Sequence, residues 1–172
     1  MVDSMTTRII DAEFGGYAAA FSDLAKLTGS FIVNYVSLTG RTDMDISERR
    51  HIQNYDLQMI CDLYTSYDFA LKKLWKKHEA AYPALYSTNV NLILRQILHD
   101  GIQAAIINAL FRISNENTMS YDIKKVKENN ALGIVQKKML EVLQQFLMYG
   151  DSFKNINDAC DSLKFLVGVD FN

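Results

Sequence analysis

The residues best able to do chemistry lie between Leu94 and Arg112. Leu94, Leu98, Gly101, Ala105, Asn108 and Arg112 are spaced alternately four and three apart, which places them on one face of a helix. That face begins apolar and ends in an amide and a guanidinium one turn apart. An interior guanidinium is costly unless it is paired, so Arg112 reads as a structural anchor or as part of a site. As an anchor it would bond the last-turn carbonyls and pack its stem. As a site it would clamp a phosphate, with Asn108, Asn115 and Glu116 around it. Arg95, His99 and Gln103 follow one another at steps of four on a second face, with Asp100 beside them. They would offer a base and a cation to a substrate, or simply form a solvated row.

Other chemistries find less support. Lys72, Lys73, Lys76 and Lys77 make a basic stripe, and Lys124, Lys125 and Lys127 a second cluster; both could touch phosphate, but neither contains a recognisable nucleic-acid reader motif. A carboxylate-bridged metal centre in a bundle needs Glu-x-x-His pairs, and the chain has none. His78-Glu79 and His99-Asp100 are adjacent pairs that point in different directions, so no metal or cofactor is expected. Phosphate-binding glycine loops and a GxSxG elbow are also missing. Cys61 and Cys160 lack CxxC partners and read as reduced, buried thiols, with a disulfide as the lesser alternative. Tyr64, Tyr67, Trp75 and Tyr82 would line a small-molecule cavity or, as aromatic stripes usually do, belong to the core.

The elements that must position these residues are long helices. With 172 residues, 49% apolar and 22% charged, the chain has the composition of one ordinary globular domain over 1–172. Its net charge of −2 gives no global field to gather nucleic acid. One proline, Pro83, leaves helices free to run. From Ile10 through Phe14, Tyr17, Phe21, Leu24, Thr28, Phe31 and Tyr35 to Leu38, threes and fours predict a helix, with a kink or split at Thr28-Gly29-Ser30 and a strand over Phe31–Leu38 as the weaker reading. Asp45 to Glu48 predicts a capped start to a second helix with the seam Leu57, Ile60, Tyr64, Tyr67, Leu71, Leu74, His78, Ala81, ending at Tyr82 before Pro83.

A third helix, capped by Ser87 or Thr88, runs to about Ser114 with apolar residues over more than half its circumference, the mark of a central element. After a polar turn over Asn115–Thr118, a short basic helix follows Ser120. Leu132–Tyr149 is amphipathic with Lys137, Lys138, Glu141, Gln144 and Gln145 outward, and is stopped by Gly150. A last helix spans about Asn157–Val167. The predicted fold is all-α, an up-and-down bundle of about five to six helices, three of them long. The first residues lack the pattern of an export signal and the longest apolar stretch, Gly101–Ile113, is interrupted, so a cytoplasmic chain with no membrane span is expected.

The stretch from Leu63-Tyr64 through Trp75, Tyr82 and Leu85-Tyr86, and then the long helix ending Asn108-Ala109-Leu110-Phe111-Arg112-Ile113 before a polar turn, resembles the HEPN superfamily, nearest to its abortive-infection-type branch. The similarity covers about Leu63 to Glu128. It implies a helical bundle, usually dimeric, that in many members cleaves RNA without metal at a composite site between two subunits. The family motif pairs an Arg with a His a few positions on. Arg112 takes the place of the Arg, but Ile113 to Met119 contain no His, and three residues separate Arg95 from His99, one too few. Glu116 is the nearest substitute for an acid–base group. The resemblance therefore implies binding more than cleavage.

These readings converge on a non-enzymatic helical interaction protein, a homodimer with a protein partner, in a bacterial or phage defence-related setting supplied by the resemblance. The alternative is a HEPN-like RNA-binding protein or ribonuclease using Arg112.

Overall fold

A computed structural model describes residues 21–83, 89–115 and 121–168. Among them the chain forms six α-helices and no strand: α1 (Ser22–Ser37), α2 (Ile46–Glu79), α3 (Val90–Ser114), α4 (Tyr121–Glu128), α5 (Leu132–Tyr149) and α6 (Ile156–Gly168). Short 3-10 turns at Leu38–Gly40 and Gly150–Ser152 follow α1 and α5. The protein is all-α and bundle-like. No described helix is long and apolar enough to cross a membrane.

As its widely spread apolar residues predict, α3 is central, packing most broadly on α1 and next on α5. Ile97, Gly101, Ile102, Ala105, Ile106, Ala109 and Ile113 are its buried residues. Ile10–Ala20 lie outside the described residues, but from Leu24 the first seam is buried at Leu24, Thr28, Tyr35 and Leu38 and half-buried at Phe31. The helix is not split at Thr28-Gly29-Ser30, and α1 is continuous through Ser37, with helix and not strand over Phe31–Ser37. Gly29 serves proximity: a Cβ there would sit 2.9 Å from the Ala105 carbonyl oxygen and 3.4 Å from Asn108 Cβ. The bare Cα lets the two backbones close together, and the packing gained outweighs the roughly 1 kcal/mol propensity cost of a helical glycine.

Asp45 caps α2 as predicted, its Oδ1 accepting the Ser47 N–H at 2.7 Å. The helix ends at Glu79, three residues before Tyr82, in a turn where the Ala81 and Tyr82 N–H groups both donate to His78 O. Its seam holds only in the first half. Leu57, Ile60 and Tyr64 are buried; Tyr67 and Leu71 are half-buried; Leu74 and Ala81 are exposed. The first half is also tied to α1 by polar contacts, with Asn34 Nδ2 donating to Asp56 Oδ2 at 2.8 Å and Gln53 Nε2 to Tyr35 O at 3.1 Å. From Asp68 to Glu79 no residue is buried. Periodicity marks a face but not where its neighbour stops.

The start of α3 is capped by Asn89, whose side chain accepts the Asn91 N–H; Ser87, Thr88 and Ser120, the expected caps, lie outside the described residues. At the end of α5, Gly150 keeps a right-handed φ of −57° and opens a 3-10 turn instead of a left-handed cap. Asn130, with φ 56°, takes the left-handed conformation between α4 and α5. The helix α6 starts one residue early and ends one late, with Asn155 Oδ1 accepting the Asn157 and Asp158 N–H groups, and it buries Cys160, Leu163 and Val167 as predicted.

Candidate functional site

The polar residues singled out on α3 separate into two structural roles. Arg112 is half-buried and its Nη1 donates to Ser30 Oγ at 2.5 Å, while Ser30 Oγ donates on to Lys26 O. Asn108, half-buried, packs against Gly29. Both therefore belong to the α1–α3 contact. Asn115 is the α3 C-cap, its N–H bonded to Phe111 O, and Glu116 lies outside the described residues. Of the candidate polar set, Asn108 and Arg112 share one helix contact, and Asn115 ends the helix.

His99 is half-buried between two carboxylates: Nδ1 is 3.0 Å from Asp100 Oδ1 and Nε2 is 2.5 Å from Asp151 Oδ1, with Gln103 Nε2 2.9 Å away. This ties α3 to the Gly150 turn. Gln96 and, next, His99 hold the Asp100 carboxyl below its ordinary range. An imidazole flanked by carboxylates presents a poor surface to phosphate. Arg95 is exposed and borders a cavity of about 460 Å³ between α2, α3 and the start of α6, shared with Tyr64, Tyr67, Leu94 and Lys154. Trp75, half-buried, and Tyr82, exposed, are not among its walls. Burial raises the Tyr64 phenol; the Thr28 hydroxyl beside it works the other way, although neither oxygen makes a well-formed hydrogen bond.

The basic stripe stands on the unburied half of α2. Lys72 is exposed and pairs with Asp68 at 2.8 Å, and Lys73, Lys76 and Lys77 are exposed. Phe69, 70% exposed, projects on the same side. Among the described residues no three His, Cys, Asp or Glu side chains gather as metal ligands would.

A surface not singled out by the sequence lies on the outside of α3 and α5. Leu98 and Ile102 share a crevice with Phe146 and Gly150 at the end of α5, while Val135 near its start packs by Gly40, which follows the α1 helix that Arg112 meets, so α3 and α5 run antiparallel. One flank of α5 is covered by α6, where Lys138 Nζ donates to Leu166 O at 3.3 Å. The other flank carries Gln136, Leu140, Leu143 and Leu147, stepping four, three and four. On α3, α1 takes the Asn108 side, and the outward side carries Ala104, Ile107, Phe111 and Ser114, stepping three, four and three.

By helical phase each row shares one face of its own helix. Ile107 is 55%, Phe111 59%, Leu140 53% and Leu147 57% exposed. The eight positions carry no charge. Their four large side chains present on the order of 400 Å² of apolar surface, the size of patch that on soluble chains often marks an interaction site. The sequence pattern held a signal for this. Apolar residues over more than half of the α3 circumference imply burial all round, whereas Ile107 and Phe111 exceed what the neighbours cover. Likewise Lys138, Glu141 and Gln145, expected outward, are half-buried, while Leu140 and Leu147 point out.

No family model matches the chain, and no curated protein and no solved structure is significantly similar to it.

Proposed function

We propose that the protein is a non-enzymatic interaction module that associates through the outer strip of α3 and α5, its first partner being a second copy of itself. The observation that supports this most is the pair of uncharged, heptad-like rows whose Ile107, Phe111, Leu140 and Leu147 are exposed. Rows stepping by threes and fours interlock with rows of the same kind, and a two-fold axis sets each strip against its own copy. A charged partner would leave its charges unpaired against this strip, whereas a second copy matches it. Dimerisation in turn creates a larger helical surface for a further protein partner.

Light scattering over a concentration series tests it. The expected result is a monomer–dimer equilibrium that reaches dimer by high micromolar concentration and is lost in Phe111→Glu with helicity intact. A wild-type monomer at high micromolar concentration would remove the claim.

A second reading is favoured by Phe69 standing among Lys72, Lys73 and Lys76, since a base can stack on an exposed ring beside cations. On this reading the chain is an RNA-binding protein, as the HEPN resemblance implies, but with the contact on α2 instead of at Arg112. Salt-dependent retention of labelled RNA, weakened by Phe69→Ala and not by Arg112→Ala, would favour it; no retention would leave the interaction module standing.

A further inference from the structure

Two thiols 99 residues apart in sequence meet where α2 packs on α6. Cys61 Sγ lies 3.0 Å from Cys160 Sγ, and Cys160 Sγ is a further 3.8 Å from the Leu57 carbonyl oxygen. Both cysteines are free. The sulfurs need to move only about an ångström to reach the ~2.05 Å of a disulfide. Cys61 is half-buried and open to a small reagent, whereas Cys160 is buried. We propose that Cys61 and Cys160 are a modification site at which a low-molecular-weight disulfide of the glutathione type installs a reversible intramolecular disulfide.

The order of events follows from exposure. The Cys61 thiolate attacks one sulfur of the small disulfide, forming a mixed disulfide and releasing one small thiolate. Cys160 gives up its proton and attacks Cys61 Sγ, closing the internal bond and expelling the second small thiolate. In sum, two protein thiols and one small disulfide become one protein disulfide and two small thiols, with two electrons passing to the reagent and both protons ending on the released thiols. Cys160 is a poor first nucleophile, because burial, and after it the neighbouring Cys61, push its thiol up. The product fastens α6 to α2 across a long loop, one of the walls of the cavity near Arg95 to another.

The test oxidises the folded, full chain with oxidised glutathione, alkylates the remaining thiols and measures intact mass. The expected product is a monomer that has lost the mass of two hydrogens, takes up no alkyl group, and melts at least ~5 °C higher than the reduced chain. Cys160→Ser should stop at the mixed disulfide on Cys61, and Cys61→Ser should form no adduct, each checked for native helicity. Two alkylated thiols in the oxidised wild type, or a disulfide joining two chains, would overturn the proposal without reference to either variant.

Discussion

The two sides of α3 are built from the same helix and meet different fates. On one side Gly101, Ala105, Asn108 and Arg112 press against neighbouring helices, with a backbone carbonyl within reach of any side chain added at Gly29. On the other, Ile107, Phe111 and Ser114 face solvent, the first two with large apolar side chains, and Ala104 is half-buried; none carries charge. The inner side achieves closeness by using small residues and one guanidinium bond. The outer side has exposed apolar bulk in Ile107 and Phe111. Polarity on a helix is therefore a poor guide to which side is covered: here the Arg lies in a helix contact and the Phe lies outside.

The largest expected effect breaks the inner side. Gly29→Val puts branched carbon against the Ala105 carbonyl, which cannot move without disturbing α3, and should cost about 3 kcal/mol in urea unfolding. Arg112→Ala removes the bond to Ser30 from a half-buried position and should cost about 1 kcal/mol. If Arg112→Ala proved neutral in stability yet abolished a binding activity, the anchor role would give way to a site.

Acid sharpens the contrast in another way. The Arg41 bond, then Asn129, hold the Asp43 carboxyl well below its ordinary range, and the Ser47 side chain and N–H lower that of the Asp45 cap. With folded values below unfolded ones, these groups contribute stability at pH above their unfolded values of about 4, and that contribution is lost as pH falls through the folded values. Thermal melts should therefore drop on the acid side, while self-association through the uncharged strip stays constant from about pH 5 to 8 and changes little with salt. The smallest effect belongs to the outer side: Ile107→Ser should alter the stability of the separate chain by no more than ~0.5 kcal/mol while weakening association.

Much of the helix plan was readable because caps and breaks are local. Asp45 starts α2, Leu132–Tyr149 is bounded as predicted, and Cys160, Leu163 and Val167 share the buried side of α6. What could not be read depends on which element comes to lie alongside. Gly29 has the composition of a break and works as a contact; Leu74 continues the α2 seam by spacing but is exposed. The meeting of Cys61 with Cys160 is set by helix packing across 99 residues, beyond any local pattern. Arg112 was legible as unusual, but the Ser30 hydroxyl it bonds lies 82 residues away, likewise beyond any local pattern.

Hydrogen exchange of the intact chain at low and high protein concentration tests the central claim most directly. Slowing confined to 103–114 and 136–147 at high concentration, and absent in Phe111→Glu, is the predicted result. Slowing confined to 68–79, or none anywhere, would contradict it.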